Sequence, residues 1–397
     1  MKYRKFGQLD WEVSALGYGC MRFPAKKFLF WKKVEEEEAI KLIRYGIDNG
    51  INYLDTAYSY HGGKSELIVG KALKDGYREK VKIATKLPMW KVKKTEDFDK
   101  FLHEQLEKLD LDYIDFYLFH GLNKARFETI KKLNLIQKME EAKEKGLIKY
   151  ICFSFHDNYE VFKDIVDYYS WDMCLIQHNY MDVGIQATSE GVKYAADKGL
   201  AVVIMEPLKG GKLANPPKEA LELMKNAPVK RTPVDWALQF LWNKPEISCV
   251  LSGMGSMKMV NENIKSASQS GINVLSKEEE EVLGSLAEIF RKKILVQCSG
   301  CKYCQPCPNG VDISQIFNLL NEFSQSEGKK KFRKKYRKLI SNKEDMKTAE
   351  ENGNAALCTK CGQCLEQCPQ EIEIYEELQK AHSVLAEKRS VEDVFGT

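Results

Sequence analysis

The stretch Asp55–Glu66 reads DTAYSYHGGKSE, and a short run, Ile51–Leu54, leads into it. An acid ends that run, a tyrosine follows five positions later, and two glycines loosen the loop behind it. A strand that ends in an acid and opens into a Gly-containing loop is how barrel enzymes present reactive groups.

The same pattern of short apolar runs recurs on both sides. The runs are Ala15–Gly19, Ile51–Asp55, Val81–Lys86, Ile114–His120, Tyr150–Ser154, Met173–Gln177, Ala201–Glu206 and Cys249–Gly253. Between them lie stretches of helical periodicity, among them Glu35–Asn49, Phe98–Leu109, Tyr159–Tyr168 and Val234–Trp242, and several stop at Gly50, Gly146 or Gly199 as a helix C-terminus does. Eight strands alternating with helices predict an α/β fold of the (β/α)8 TIM-barrel type over residues 1–295. Residues 3–14 predict a small hairpin turning at Gly7-Gln8, and Lys277–Lys293 one further helix or two.

The chain has 397 residues and a net charge of +4, so the global balance does not suggest a nucleic-acid partner. Its apolar runs fall short of the roughly 20 residues of a membrane span. The N-terminal MKYRKFGQLDWEV has no apolar signal core. A cytoplasmic protein is expected, with neither nucleic acid nor membrane as partner. Four of the twelve cysteines, Cys20, Cys152, Cys174 and Cys249, sit in strand-like runs and read as small buried hydrophobes.

Asp55, Lys86, His120, Ser154, Gln177, Glu206 and Ser252 all fall at or just past the end of a run. In a barrel these ends share one face, where sites are built. Tyr60 can give or take a proton despite a phenol pKa of about 10 if a close cation favours its phenolate. Lys86 supplies such a cation, Asp55 can hold Lys86, and His120 can polarise a carbonyl oxygen by donating a hydrogen bond. Together they would protonate an alkoxide as a hydride reaches carbon. No G-x-G-x-x-G or Walker motif is present; Gly17 and Gly19 make only an isolated G-x-G.

DTAYSYHGGKSE, followed by IATKLP and DYIDFYLFH, resembles the aldo-keto reductase family over about residues 1–290. That resemblance implies a barrel that reduces carbonyls with NAD(P)H, and Asp55, Tyr60, Lys86 and His120 match the family tetrad one for one. It also implies cofactor contacts. ALGYGCM places Gly19, Cys20 and Met21 beside the nicotinamide. Ser154 and Gln177 match the residues that hold the carboxamide, although the family's usual Asn is here Phe155, followed by His156. Tyr180 lies where the family's ring stacks on the nicotinamide. MEPLKGGKL resembles the loop over the pyrophosphate and supplies Pro207, Leu208, Gly210 and Gly211, with Lys209 or Lys212 to neutralise phosphate. After the last strand, Ser252 and Gly253 lead to Glu262 and Asn263, which match the adenine-facing pair. Gly253 and Met259 stand where many NADPH users have Lys and Arg, with Lys258 adjacent, which leaves NADH and NADPH both open. The substrate, a small carbonyl or alcohol, would be shaped by Pro24–Lys33, Gly121–Lys131 and Asn215–Arg231, which carry no readable code.

After Gln297 the composition changes. Residues 298–308 read CSGCKYCQPCP and 358–369 read CTKCGQCLEQCP. The second is the C-x2-C-x2-C-x3-C-P run of two-cluster ferredoxins, in which the fourth cysteine ligates the other cluster; the first is one residue short before its last cysteine. This predicts a small, mainly helical ferredoxin-like domain over 296–397 with two 4Fe-4S clusters. One would be held by Cys298, Cys301, Cys304 and Cys368, the other by Cys358, Cys361, Cys364 and Cys307. Two structural zinc sites are the alternative. The domain is similar to the ferredoxin-type module fused to some aldo-keto reductases of anaerobes. A charged helical insertion, Ile313–Asn352, separates the motifs. Within it, Gly328–Lys338 reads GKKKFRKKYRK, either a solvated helix face or a dock for an acidic redox partner.

Three functions follow: an NAD(P)H-dependent oxidoreductase whose clusters transfer electrons, a plain carbonyl reductase whose clusters are structural or a docking module, and an electron carrier with a non-catalytic barrel. A hydride is two electrons and each cluster takes one, and no flavin signature marks a way to split the pair.

Overall fold

The computed structural model describes residues 1–28, 31–326, 328–341 and 354–396. By contacts between Cα atoms the chain forms two compact units, Met1–Leu208 with Val234–Ser276, and Lys209–Pro233 with Lys277–Thr397.

The first unit is a closed eight-stranded parallel barrel. Its strands are β3 (Leu16–Gly19), β6 (Tyr53–Asp55), β7 (Lys82–Leu87), β8 (Ile114–Leu122), β9 (Ile148–Phe155), β10 (Met173–Gln177), β11 (Ala201–Met205) and β12 (Ile247–Ser252). Strand β12 closes on β3 through Val250 opposite Leu16 and Ser252 opposite Tyr18. Two antiparallel hairpins stand outside the barrel: β1 (Tyr3–Phe6) with β2 (Leu9–Ser14), and β4 (Ala25–Phe28) with β5 (Trp31–Val34).

The strands are buried on both faces, which is why they read as near-continuous apolar runs. Side chains inside the barrel, such as Ala84, Leu118, Cys152, Leu175, Val203 and Cys249, form one cluster, which Phe6 and Val13 of the first hairpin join. The Phe6 ring lies 5.0 Å from Phe116 and 6.0 Å from Tyr53. A larger cluster fills the layer between strands and helices. The four isolated cysteines are buried, as expected. Gly50, Gly146 and Gly199 follow their helices at φ of 95°, 74° and 87°, the left-handed conformation that ends a helix and suits glycine.

The segments Gly121–Lys131 and Asn215–Arg231, expected to shape the substrate site, each overlap a helix. Helix Lys124–Lys132 is capped by Asn123, whose side chain accepts from the Arg126 amide at 2.9 Å. Helix Lys218–Asn226 lies in the second unit. The region Pro24–Lys33 carries the β4–β5 hairpin, with residues 29 and 30 outside the described residues.

Helices build the second unit: Lys218–Asn226, Lys277–Lys293, Ile313–Gln325, Lys329–Ser341 and Ile374–Leu385, with short turns beside the cysteines. Val311, Phe317, Leu320, Phe323, Tyr336 and Leu378 are among the side chains of its core. The insertion expected over Ile313–Asn352 is two helices up to Ser341, and residues 342–353 lie outside the described residues. Among the described residues no helix is long and apolar enough to cross a membrane.

Candidate active site and cysteine centre

Strand register sets the site. Asp55, the last residue of β6, pairs with Gly19 on one side and Ala84 on the other, and Lys86 near the end of β7 pairs with Leu118. Lys86 Nζ donates to Asp55 Oδ1 at 2.7 Å and to the Thr56 carbonyl at 2.7 Å, with Lys86 and Asp55 both buried. Burial pushes the Asp55 carboxyl up, and the Lys86 charge and hydrogen bond pull it back. The Lys86 ammonium lies 5.2 Å from the centre of the Tyr60 ring. The His120 ring lies 6.2 Å from the Tyr60 ring, edge to face. Burial first, then the charges of Lys86, Arg126 and His156, holds His120 well below the ordinary histidine range. It is a neutral imidazole at neutral pH.

The sequence did not mark the layer that fixes these groups. Glu66, the last residue of the opening motif, is buried and accepts from Thr85 Oγ1 at 2.6 Å and Gln105 Nε2 at 2.5 Å. Gln105 also donates to the Lys86 carbonyl at 3.1 Å, so the backbone at Lys86 is tied to the helix behind it. His61 accepts from the Phe23 amide through Nε2 at 3.2 Å and stacks on the Phe23 ring at 5.0 Å, which anchors the loop after β3 next to Tyr60. Trp90 sets its ring 5.0 Å from His120. A polar residue kept inside an apolar layer is the signal that Glu66 and Gln105 offered; Trp90, four residues after Lys86, offered none.

The expected cofactor residues fall into separate places. Gly19 ends β3, Cys20 and Met21 follow it, and the Cys20 amide donates to the Asp55 carbonyl at 2.8 Å. Ser154 Oγ accepts from the Gly121 amide at 2.7 Å. Gln177 Nε2 donates to Asp182 Oδ2 at 3.0 Å, and its Oε1 accepts from Gln186 at 3.4 Å. Gln186 in turn meets His156 Nδ1 at 3.2 Å. Phe155 is buried with its ring 5.0 Å from Phe162, and His156 follows it in the chain. Tyr180 is buried with its ring edge-on to Phe240 at 6.3 Å. Ser252 Oγ accepts from Asn263 Nδ2 at 2.9 Å, while Gly253 and Glu262 are exposed and Glu262 pairs with Lys258 at 3.7 Å.

Pro207 and Leu208 belong to the barrel unit, and Gly210 and Gly211 to the second unit. Lys212 Nζ donates to the Val296 carbonyl at 3.3 Å, and Lys209 is fully buried. A Cβ on Gly210 would lie 1.8 Å from the Ser299 carbonyl oxygen, so this loop touches the backbone next to Cys298.

Seven of the eight clustered cysteines are partly buried, and Cys361 is exposed. The Cys304 thiol is acted on by Cys301, Cys298 and Cys368, and more weakly by Cys364; burial is the larger influence and raises its pKa. The Cys364 thiol is acted on, after burial, by Cys358, Cys307 and Cys361. Among the described residues no group of three or more Cys, His, Asp or Glu side chains is arranged to hold a metal ion. Eight cysteine thiols in two C-x2-C-x2-C motifs are ligands of the kind that iron–sulfur clusters take.

Comparison with known proteins agrees. The model of the Aldo/keto reductase family matches residues 15–279, and that of a 4Fe-4S dicluster domain matches 297–373. A probable aldo-keto reductase 1 of Glycine max is 33% identical over 158 residues, which is 38% of this chain and 44% of that protein. The solved structure of aldo-keto reductase AKR11C1 from Bacillus halodurans in its holo form is 27% identical, with a TM-score of 0.60 over 72% of this chain and 96% of that one. An aldo-keto reductase from Klebsiella pneumoniae, solved in complex with NADPH, shares the fold at 22% identity, with a TM-score of 0.60 over 72% of this chain and 95% of that one. The chain is an oxidoreductase of the aldo/keto reductase family that carries a 4Fe-4S dicluster domain after its barrel.

Proposed function

We propose that residues 1–295 reduce a small carbonyl, or oxidise the corresponding alcohol, with NAD(P)H, and that residues 296–397 hold two 4Fe-4S clusters. When bound, the nicotinamide supplies the hydride and the clusters pass electrons singly. As the hydride reaches the carbonyl carbon, the Tyr60 hydroxyl gives its proton to the oxygen, and in the reverse direction it takes that proton back. The Lys86 ammonium, 5.2 Å from the Tyr60 ring centre, favours the phenolate left behind. Asp55 holds Lys86 at 2.7 Å. His120, kept neutral by burial, donates a hydrogen bond to the carbonyl oxygen and leaves the proton transfer to Tyr60. The observation that carries this reading is Lys86, bound to Asp55 on one side and set against Tyr60 on the other.

The other expected site residues would hold the cofactor. Ser154 and Gln177 would hold the carboxamide, Gly19, Cys20, Met21 and Tyr180 would border the ring, Pro207, Leu208, Gly210 and Gly211 would cover the pyrophosphate, and Ser252, Gly253, Glu262 and Asn263 would face the adenosine. Thiolate-held clusters suit a reducing compartment, so we place the protein in the cytoplasm.

Replacing Tyr60 with Phe and assaying carbonyl reduction with NADH and NADPH tests the barrel; activity at the parent level would sink the assignment. Iron and sulfide content of anaerobically purified protein tests the cysteines, and zinc without iron would reject the clusters. A second reading, in which the clusters are structural, is favoured by the packing of Cys298, Cys304, Cys307, Cys358, Cys364 and Cys368 against the unit's apolar core. Electron paramagnetic resonance after adding NAD(P)H separates the two, since a silent spectrum supports the structural role.

A further inference from the structure

We propose that the outer face of helix Lys329–Ser341 docks an acidic one-electron carrier protein beside the cysteine centre; this rests on reading the eight cysteines as iron–sulfur ligands. Eight of the helix's thirteen residues are Lys or Arg and none is acidic. The whole chain carries only +4, so positive charge is concentrated here. The adjoining helix Ile313–Gln325 brings a single acid, Glu322.

The helix has two distinct faces. Phe332, Tyr336 and Leu339, spaced four and three residues apart, are buried in the unit's core. Lys330, Lys334 and Lys338 recur every four residues on the opposite side and are exposed. The buried side ties the helix to the second cysteine motif. The Ala355 amide donates to the Tyr336 hydroxyl at 3.2 Å, and the turn Ala355–Leu357 runs directly into Cys358. Tyr336 also meets His382 Nδ1 at 2.9 Å. In that motif Cys361 is exposed, and Lys360 beside it adds another cation.

This arrangement selects among anionic partners. A membrane-surface helix inserts its apolar face into lipid, and here that face is used inside the protein. Single-stranded nucleic acid is held by aromatic stacking as well as charge, and Phe332 and Tyr336 point inward. A carrier protein with a negative face needs only the basic surface and a short path to a cluster, and charge complementarity of this kind chiefly speeds encounter.

The test uses the full chain purified anaerobically with its metal, and a purified two-cluster bacterial ferredoxin of net negative charge as probe. Calorimetry at low and high salt reads binding whatever metal the samples hold, so its outcome is separate from that of the iron and sulfide analysis. The parent protein should bind with an affinity that falls as salt rises. The triple variant Lys330→Glu, Lys334→Glu, Lys338→Glu should bind about tenfold or more weakly. A control with the same net charge, Lys145→Glu, Lys193→Glu, Lys265→Glu on exposed barrel positions, should bind like the parent. Equal loss in both triples would reduce the effect to global charge and overturn the proposal. So would no loss in either, or tighter binding to duplex DNA or to phosphatidylserine vesicles than to the ferredoxin.

Discussion

Lys86 Nζ stands 2.7 Å from Asp55 Oδ1 with both side chains buried, and Asp55 Oδ2 has no hydrogen-bond partner among the described residues. The pair therefore has a structural and a chemical role that mutation can separate. Lys86→Met leaves a buried carboxylate unpaired and should cost about 3–5 kcal/mol of stability at neutral pH. Burial already holds the Asp55 carboxyl high, so the folded state takes up its proton before the unfolded state does. The deficit of the variant should accordingly shrink as pH falls through that raised value. The double variant Asp55→Asn, Lys86→Met removes both charges and should recover most of the stability while remaining inactive. Urea unfolding and carbonyl reduction measured on both variants check this; activity in the double variant would remove Lys86 from the chemistry.

What the sequence disclosed, and what it hid, follows from the range of the interactions. The barrel strands were legible because each is a short apolar run flanked by amphipathic helices, and Asp55, Lys86 and His120 were legible because strand ends share a face. Helix Lys124–Lys132 was missed because only Phe127 and Ile130 of its nine residues are buried, although Asn123 offered a capping signal. Gln186 was missed because its tie to His156 spans 30 residues and no spacing rule foretells it. Gly210 and Ser299 lie on opposite sides of the change in composition near residue 297, and only the folded structure brings those two together.

Gln186 should act as a positioning residue for Gln177. Its side chain donates to Gln177 Oε1 at 3.4 Å and meets His156 at 3.2 Å, its residue is largely buried, and its φ of 56° is unusual for a residue with a Cβ. Gln186→Leu should leave the Gln177 amide less well oriented. Losing one hydrogen bond of about 1 kcal/mol should raise the KM for the cofactor several-fold with a smaller change in kcat. A merely structural role would stop there. Orientation of the carboxamide also predicts weaker discrimination between the two faces of the nicotinamide, read from deuterium transfer with cofactor labelled on either face. Unchanged facial selectivity would argue against it.

His156 predicts an acid limb in barrel stability. Burial is the main cause that pushes it down to about 4, with Gln186 opposing and the Arg126 charge adding. An unfolded histidine titrates near 6.5. Above that value both states are neutral and nothing is lost. As pH falls from about 6.5 toward 4, the unfolded chain takes a proton that the folded site refuses, and stability declines. At pH 5.5 one such histidine costs about 1.4 kcal/mol. His156→Gln should therefore lose about that much less stability between pH 7.5 and 5.5 than the parent does, as followed by tryptophan fluorescence in urea. Parallel losses in the two proteins would mean that His156 is charged when folded.

The two glycines of the Lys209–Gly211 turn should respond differently to the same substitution. Both are left-handed, with φ of 65° at Gly210 and 93° at Gly211, so alanine strains the backbone at either by roughly 1 kcal/mol. At Gly211 the added methyl meets nothing within 4 Å. At Gly210 it would lie 1.8 Å from the Ser299 carbonyl oxygen, and backbone cannot swing aside as a side chain can. Relief requires the segment that leads from Cys298 to Cys301 to shift, because Ser299 lies between them. Gly210→Ala should therefore bind less iron after anaerobic purification and surrender it to a chelator several-fold faster than the parent, whereas Gly211→Ala should match the parent in both. Equal iron retention in the two variants would show that the loop and the first cysteine motif do not depend on each other.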